Sequence, residues 1–434
     1  MKFYLLFLII ILLSACGGGG GGGGGNGTDF TSNNTNNVPT CSDTGASFQT
    51  TEYHYMAYSE NSTSGLGRVC ASTAYANGVT GSGVKIAILD TGINLQSDGD
   101  SGHQEFGTVG QPTSKIVQIS KSDVYEWDDI PEDDDGHGTH VAGIIAADKD
   151  SVGMHGVAYN STVYPIRIMT PSGIYRAVQG NYTIAWGFYK AYTANVDIIN
   201  NSWSLGTDTV IGSSCNSAAS CQSWVNNATG YNDTYTFLER TATVGNDIMV
   251  WAAGNNGDSS PHAIAGSCIY DTDFRELCVI VVNLGEDGKI NSSSNRCGIA
   301  SNYCISAPGT RIVSPWHTTS SAYYHATGTS MAAPMVSGGL ALIKQKYSSL
   351  TNQQIVDRLF ATAVDHDVYS QSSIYGHGLM DIGAATSAIG SLQTFSGPVN
   401  NLDSSNSLYT ELNQNFYFSS GAFNSSLILA LKDK

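Results

Sequence analysis

The feature that most constrains the fold is a series of short, apolar, β-branched runs that alternate with helical patterns. The runs predict buried strands over residues 84–89, 162–168, 196–199, 248–253 and 279–284. The periodic patterns predict helices after Thr139, over about residues 181–193, from Ser330, and from the capping-box pattern at Thr351 to about Ala363. Strands that are apolar on both faces and separated by helices are typical of parallel sheets. The sequence therefore predicts an α/β fold in which a central, mostly parallel β-sheet carries helices on both faces.

The composition fits one large hydrophobic core, or at most two moderate ones, and the net charge excludes one class of binding partner. The chain has 434 residues, of which 41% are hydrophobic and 13% are charged, and this excludes an intrinsically disordered chain. Lys and Arg number 19 against 36 for Asp and Glu, which gives a net charge of −17. Because a phosphate backbone would be repelled by this charge, we expect no nucleic acid partner.

The N-terminus has the pattern of an export signal. Lys2 precedes an apolar run, Phe3–Leu13, that is too short to span a bilayer comfortably. The segment LSAC that ends at Cys16 resembles the lipobox of bacterial lipoproteins, in which the Cys is acylated. We therefore expect residues 1–15 to be a signal peptide that is removed, and Cys16 to be a lipidated anchor in a bacterial membrane. The alternative is an ordinary cleavage site followed by an unrelated Cys.

A low-complexity segment follows the predicted anchor. Gly17–Gly25 are consecutive glycines, and residues 16–40 as a whole are rich in Gly, Asn and Thr, which predicts a flexible tether. Because Gly17 rather than Asp follows the Cys, we expect the chain at the outer membrane or the cell surface. Residues 391–434 are rich in Asn and Ser and predict an appendage or linker. Residues 41–390 are therefore predicted to form the folded domain.

Eight cysteines remain when Cys16 is set aside, and an even number fits disulfides in an oxidising compartment. Eight cysteines permit many connectivities. Close spacing favours Cys215 with Cys221, Cys268 with Cys278 and Cys297 with Cys304, and it leaves Cys41 with Cys70. Zinc is the competing use, but no CxxC pair with a matching second pair occurs.

Three short segments carry residue types that serve nucleophilic catalysis. Asp90 ends an apolar strand in KIAILDTG, and catalytic groups gather at such strand ends. His137 lies between glycines in GHGTHVAG, which keeps its ring open to approach. Ser330 begins an apolar helix in GTSMAAP, where backbone N–H groups favour negative charge.

Each segment also has a simpler interpretation when it is taken alone. Asp90 fits a turn residue and Ser330 fits an N-cap. His137 and His140 fit a metal pair. We discount the metal pair because no HExxH arrangement is present, and we expect His140 to be a buried core histidine. Pro334 is expected to be tolerated because early helix positions lack N–H partners.

Together, in the order Asp, His, Ser, the three motifs resemble those of the subtilisin-like serine proteases. The resemblance covers about residues 74–388 and includes GVA at 156–158, DIINNSWS at 197–204, AAGN at 252–255, APG at 307–309 and YGHGLMD at 375–381. The NNSW variant, the lipobox and the polyglycine run look most like the autotransporter and surface-lipoprotein subset of this family. The resemblance implies a subtilisin-like fold and a secreted serine endopeptidase that hydrolyses peptide bonds.

The resemblance also implies a role for each site residue. His137 is the general base toward Ser330, and Asp90 orients the imidazole. Asn255 matches the residue whose side-chain amide forms the oxyanion hole with the Ser330 N–H. The family also has a segment that pairs with the substrate backbone as an added strand, and it is matched here by Ser202, Trp203 and Ser204. Because such pairing involves the backbone, it predicts broad specificity for polypeptides.

A structural Ca²⁺ is implied in the same way, although the chemistry requires no cofactor. Residues 148–154 match a loop that surrounds calcium in many members of the family. The implied ligands are side-chain oxygens of Glu105 and Asp150 and the carbonyl oxygens of Asp148, Val152 and Met154. Lys149 within the loop argues against the site.

The acidic run at residues 132–135 directly precedes the GHGTH motif and has two interpretations. It favours a basic substrate residue beside the scissile bond, or it is a solvated loop, which is the commoner role of a charge run. Two features of the family are not evident in the sequence: a folded propeptide before the first strand, and the alternating strands of a membrane barrel after residue 391. Either the lipid alone anchors this chain, or the chain is truncated.

The sequence thus predicts a lipid-anchored, monomeric serine endopeptidase that forms an acyl-enzyme on Ser330 and processes cell-surface or extracellular proteins. A second hypothesis is a catalytically silent surface-binding lipoprotein on the same scaffold. Such proteins commonly lose a triad residue, and none is lost here. A serine lipase or esterase is disfavoured because no GxSxG motif appears.

Overall fold

The centre of the fold is a sheet of six parallel strands, and a two-stranded antiparallel hairpin lies beside it. The sheet consists of β1 (Lys85–Asp90), β2 (Thr162–Arg167), β3 (Ile198–Asn201), β4 (Ile248–Ala252), β5 (Cys278–Leu284) and β6 (Cys304–Pro308). The hairpin consists of β7 (Ile312–Pro315) and β8 (Tyr323–Ala326). The strand order in the sheet is β2-β1-β3-β4-β5-β6.

The computed structural model describes residues 38–57, 65–95, 102–107, 115–117, 132–169, 183–205, 209–229 and 232–388. The predicted signal peptide, Cys16, nearly all of the tether and residues 391–434 lie outside these ranges. Among the described helices, none has both the length and the apolar character that crossing a membrane requires.

Eleven α-helices are formed by the described residues. They are α1 (Thr51–Tyr55), α2 (Ala71–Ala76), α3 (His137–Ala146), α4 (Thr183–Ala194), α5 (Ala218–Thr229), α6 (Thr234–Thr243), α7 (Ala263–Gly266), α8 (Thr329–Lys346), α9 (Asn352–Ala361), α10 (Ser372–Tyr375) and α11 (Ile382–Ala385). Short 3₁₀ turns lie at Ala46–Phe48, Gly65–Val69, Gln104–Phe106, Ser267–Tyr270, Arg275–Leu277, Gly298–Tyr303 and Asp367–Ser370.

Helices cover both faces of the sheet. Ser337 on α8 donates to Asn200 Oδ1 on β3 (2.8 Å), so α8 lies on the face toward which Asn200 points. Side chains alternate along a strand, and Asn200 is in register with Val250, so Trp251 on β4 points to the opposite face. There its ring lies 6.1 Å from the ring of Phe188 on α4. The predicted central parallel sheet with helices on both faces is confirmed.

The element boundaries differ from the sequence prediction by a few residues. The strand predicted at 196–199 covers Ile198–Asn201, and Asp197 just before it accepts the Lys85 N–H at the start of β1 (2.8 Å). The helix predicted after Thr139 begins at His137. The helix predicted from Thr351 does carry a capping box, with Thr351 as the N-cap. The sequence analysis missed β6, the hairpin, α5 and α6, since none of them has a long apolar or periodic run.

Four disulfides join the cysteines that the spacing paired. They are Cys41–Cys70, Cys215–Cys221, Cys268–Cys278 and Cys297–Cys304. The first fastens the N-terminal segment to the domain. In that segment, the buried Tyr53 hydroxyl donates to Asp43 Oδ2 (2.7 Å). The predicted pairing is confirmed.

Candidate active site

The three motifs of the sequence meet at the carboxyl edge of the sheet. Asp90 is the last residue of β1, His137 the first of α3, and Ser330 the second of α8. His137 and Ser330 line one cavity, and Asp90 is buried beneath it (1% exposed). Other residues that line the cavity are Asp135, Ser202, Trp203, Ser204, Asn255, Trp316 and Tyr324.

Asp90 and His137 are joined by a short charge-assisted hydrogen bond. The distance from His137 Nδ1 to Asp90 Oδ1 is 2.7 Å. The same carboxylate oxygen accepts the Thr91 N–H (2.8 Å), so its position is fixed from two directions. Because Nδ1 is occupied by Asp90, Nε2 is the nitrogen of His137 that is available for proton transfer.

The acidic run stabilises the N-terminus of α3. Asp133 is buried, and its carboxylate accepts the N–H groups of Gly136 (2.9 Å) and Thr139 (2.8 Å). Asp135 Oδ1 accepts the His137 N–H (3.2 Å), and Thr91 Oγ1 accepts the N–H of the next residue (2.9 Å). All four free N–H groups at the start of the helix therefore have side-chain partners.

The interpretation of the acidic run as a solvated loop is therefore wrong for Asp133. Asp134 is exposed and pairs with Arg167 (2.6 Å), as a surface charge would. Glu132 is half-buried, and Asp135 lines the cavity. Only Asp135 of this run lies where it faces a substrate.

The charges around His137 favour its protonated form. Burial alone would lower the pKa of the imidazole, but the charge and the hydrogen bond of Asp90 outweigh this effect. Asp135 and Asp133 add to the attraction, and together these carboxylates raise the pKa of His137 to about 9. The neutral imidazole, which is the form that can accept a proton from a hydroxyl group, therefore becomes the main form only near pH 9.

The backbone of Ser330 is held by Ser202 at the end of β3. Ser330 Oγ donates to the Ser202 carbonyl (3.0 Å), and Ser202 Oγ donates to the Ser330 carbonyl (2.9 Å). Pro334 is the sixth residue of α8, beyond the free N–H groups of the first turn, which corrects the expectation above. Because Pro334 has no N–H to offer the Ser330 carbonyl, that carbonyl is left for Ser202. Asn200 supports the arrangement by donating to Ser202 Oγ (2.9 Å).

Asn255 follows β4 and faces the same cavity. Its Oδ1 accepts both the N–H (2.9 Å) and the hydroxyl (3.1 Å) of Thr329. Because these donors fix which side of the amide is oxygen, the NH₂ group of Asn255 is left to donate into the cavity. The N–H of Ser330, in the first turn of α8, belongs to the group that has no partner within a helix.

The segment Ser202–Ser204 lines the cavity directly after β3. Trp203 is 2% exposed, and its ring lies 5.4 Å from that of Trp251 in the core. The side chain of Trp203 thus anchors the segment, while the segment borders the cavity. The segment is thereby fixed at the border of the cavity.

His140 is a buried core histidine, as predicted. Its Nε2 lies 3.1 Å from the Ile312 carbonyl and 3.0 Å from the Tyr324 carbonyl. Burial, followed by the charge of His137, lowers the pKa of His140 to about 3. Through its Nε2 the ring joins α3 to the hairpin.

The residues predicted to hold calcium surround one loop. Glu105 is 1% exposed, its Oε1 accepts the Tyr323 hydroxyl, and its Oε2 has no hydrogen-bond partner among the described residues. Burial, opposed by the hydrogen bond from Tyr323 and aided by the charges of Asp150 and Asp148, raises the pKa of Glu105 to about 8. Lys149 points away toward Glu52 (3.8 Å), so the lysine that argued against the site is paired elsewhere.

Sequence reasoning missed several residues that shape the site. Asp133 and Thr91 hold α3, and Thr329 holds Asn255. Trp316 and Tyr324 line the cavity from the hairpin. The aspartate four residues before His137 and the threonine after Asp90 were visible as motif neighbours, but no sequence signal indicated that the hairpin folds over the site.

Comparisons with known proteins agree with this geometry. The model of the Subtilase family (Peptidase_S8) matches residues 81–378, which is more than half of the chain. Subtilisin Savinase of Lederbergia lenta is 32% identical over 323 residues, covering 74% of this chain and 97% of that protein. Subtilisin E of Bacillus subtilis (strain 168) is 30% identical over 332 residues, covering 76% of this chain and 72% of that protein.

A solved structure supports the fold independently. The MycP3 protease from the type VII (ESX-3) secretion system aligns with a TM-score of 0.55 and 23% identity. The alignment covers 74% of this chain and 86% of that one. The family model and the relatives show that the chain belongs to the subtilase family and is a serine endopeptidase.

Proposed function

We propose that Asp90, His137 and Ser330 form the catalytic triad of this endopeptidase, with Asn255 in its oxyanion hole. The observation that carries the proposal is the 2.7 Å hydrogen bond from His137 to Asp90, in a cavity that Ser330 and Asn255 also line. Thr329 holds the Oδ1 side of Asn255, and Ser202 accepts the Ser330 hydroxyl, so this hydroxyl turns toward His137 only when the reaction begins.

The reaction proceeds in two stages. Rotation about the Cα–Cβ bond of Ser330 turns its hydroxyl from the Ser202 carbonyl toward His137 Nε2, which takes the proton as Oγ attacks the peptide carbonyl. The Asn255 NH₂ group and the Ser330 N–H stabilise the oxyanion. His137 then protonates the leaving amine, and an acyl-enzyme remains. Water, deprotonated by His137, attacks the ester and restores Ser330.

We infer that the substrate binds as an extended strand along Ser202, Trp203 and Ser204. Such backbone pairing makes few demands on side chains, which favours broad specificity. Asp135 is the acidic residue of its run that lines the cavity, so it favours a basic residue near the scissile bond. A peptide library tests this preference. Enrichment of Lys or Arg that disappears in Asp135→Asn supports it, and a flat profile in the wild type contradicts it.

We infer further that a structural Ca²⁺ binds at Glu105, Asp150 and the carbonyls of Asp148, Val152 and Met154. The buried, unpartnered Oε2 of Glu105 beside two aspartates fits a hard cation. The ion would neutralise this loop and take no part in the chemistry. Calorimetry with EDTA and with added CaCl₂ tests the site. We expect a lower Tm with EDTA, and Tm values that do not respond to either in Asp150→Asn. An unchanged wild-type Tm contradicts the site.

The N-terminal and C-terminal assignments stay proposals. We propose that residues 1–15 direct export, that Cys16 carries lipid, that residues 16–40 tether the 41–390 domain to a bacterial outer membrane or surface, and that 391–434 form an appendage. The motif at Cys16 supports this proposal. Metabolic labelling with a fatty acid should mark the wild type and not Cys16→Ser, and equal labelling of both would contradict it.

Labelling by a fluorophosphonate tests the proposed nucleophile. The wild-type protein should be labelled and should cleave casein, and Ser330→Ala should lose both properties together. Ser204→Ala, another serine in the same cavity, serves as the matched control and should still be labelled. A wild type that is neither labelled nor active would favour the alternative of a silent surface-binding lipoprotein.

A further inference from the structure

One wall of the active-site cavity is not used by the proposed chemistry. It is formed by the β7–β8 hairpin, which contributes Trp316, Tyr324, Ala326 and Thr327. The other wall contains Ser202–Ser204 and Asn255, at the ends of β3 and β4. Ser330 also lines this cavity, four residues after the end of β8.

Trp316 and Tyr324 present aromatic surface on this wall. Their ring centroids lie 4.9 Å apart with an interplanar angle of 42°. Tyr324 is 41% exposed, and on its other side it stacks on His325 at 5.4 Å. Exposed rings in a concave site are suited to binding apolar groups.

The wall is held rigidly against the catalytic helix. The backbone carbonyl of Tyr324 is bonded to the buried His140 on α3 (3.0 Å), and Trp316 N–H donates to the Ala322 carbonyl (2.7 Å). A Cβ placed on Gly136 would come within 2.5 Å of the Trp316 ring. Trp316 therefore lies directly against the residue that precedes His137.

The chemistry indicates which part of the substrate meets this wall. The acyl portion becomes attached to Ser330, whereas the leaving amine receives its proton from His137. The residues that follow the scissile bond must therefore lie beside His137, and that is where Trp316 lies. This step rests on the proposed function.

We propose that Trp316 and Tyr324 form the binding subsite for the substrate residues on the leaving-group side of the scissile bond. The subsite selects an aromatic or large aliphatic side chain there. It acts on the departing part of the polypeptide through aromatic surface, whereas Asp135 acts through its charge.

Internally quenched peptides that share one acyl portion and carry Phe, Leu, Ala or Gly directly after the scissile bond isolate the subsite. For the wild type we expect kcat/KM to be about tenfold higher for Phe and Leu than for Gly. In Trp316→Ala and Tyr324→Ala this ratio should fall to within about twofold, because the loss of kcat/KM is larger for Phe and Leu than for Gly.

Conservative and distant variants serve as controls. Tyr324→Phe keeps the ring and should keep the preference. Val244→Ala removes an exposed apolar side chain (60%) just after α6, which does not line the cavity, and should change nothing. A preference that persists in both alanine variants, or a wild type without one, overturns the subsite. An equal loss of kcat/KM for all four peptides in those variants also overturns it, since the wall would then only support His137. A wild type that cleaves none of the peptides overturns the proposed function itself.

Discussion

The ionisation of His137 is governed by the carboxylates around it. A general base must be neutral, and the pKa of His137 is raised to about 9, so kcat/KM should increase with pH until about pH 9. Asp135→Asn removes one negative charge but keeps an oxygen that accepts the His137 N–H. We expect the acid limb of the kcat/KM profile, measured with an anilide, to move to lower pH in this variant. An unchanged limb contradicts this electrostatic account.

Asp247 is a buried carboxyl outside the active site, and its titration makes the stability of the folded protein depend on pH. It is 0% exposed, and neither of its oxygens has a hydrogen-bond partner among the described residues. Burial, with the charge of Asp197, raises its pKa to about 8, although Lys344 acts in the opposite direction. Because the folded protein holds this proton more tightly than the unfolded chain, stability falls as pH rises from the unfolded pKa toward 8.

Asp247→Asn should therefore stabilise the protein at alkaline pH. We expect a gain in unfolding free energy on the order of 2 kcal/mol at pH 9, and a smaller gain at pH 5. Calorimetry in a Ser330→Ala background, which prevents self-digestion, measures the difference. A gain that does not grow with pH would mean that Asp247 is ionised throughout this range.

At the scale of elements, α3 depends on its side-chain caps because it begins inside the active site. Asp133→Ala leaves buried donors without partners and should lower the free energy of unfolding by about 3 kcal/mol, with a loss of activity. The adjacent Asp134→Ala is the matched control. It removes the exposed partner of Arg167, which keeps its hydrogen bonds to the Glu132 and Met169 carbonyls, and should cost about 1 kcal/mol or less in urea titrations. Equal effects of the two variants would contradict the capping role of Asp133.

The elements also differ in whether they could be predicted from the sequence. Buried parallel strands appear in the sequence as apolar runs, so five of the six strands of the sheet could be predicted. The sixth, Cys304–Pro308, is polar at Ser306 and owes its conformation to pairing with β5. In the proposed site, the sequence indicated Asp90, His137 and Ser330 because glycines flank each of them. Asp133 and the wall at Trp316 were not found, since their roles arise from contacts made across the fold.

For the whole molecule, stability depends in part on the disulfides. Cys41–Cys70 spans 29 residues, whereas Cys215–Cys221 spans 6. Because closing a longer loop removes more entropy from the unfolded chain, Cys41→Ser with Cys70→Ser should destabilise the domain by about 3 kcal/mol. The corresponding 215/221 double variant should cost about 1 kcal/mol less. Denaturant titrations of both variants in the Ser330→Ala background provide the comparison, and the reverse order would contradict it.

The central claim is that distant segments of this chain act as one catalytic unit, and the additivity of substitutions tests it most directly. Anilide hydrolysis should be measured for Ser330→Ala, His137→Ala and the double variant under identical conditions. If proton transfer from Ser330 to His137 is the reaction, each single variant loses as much kcat as the double variant. If the two losses multiply, or if His137→Ala retains wild-type kcat, the residues act independently and the account is wrong.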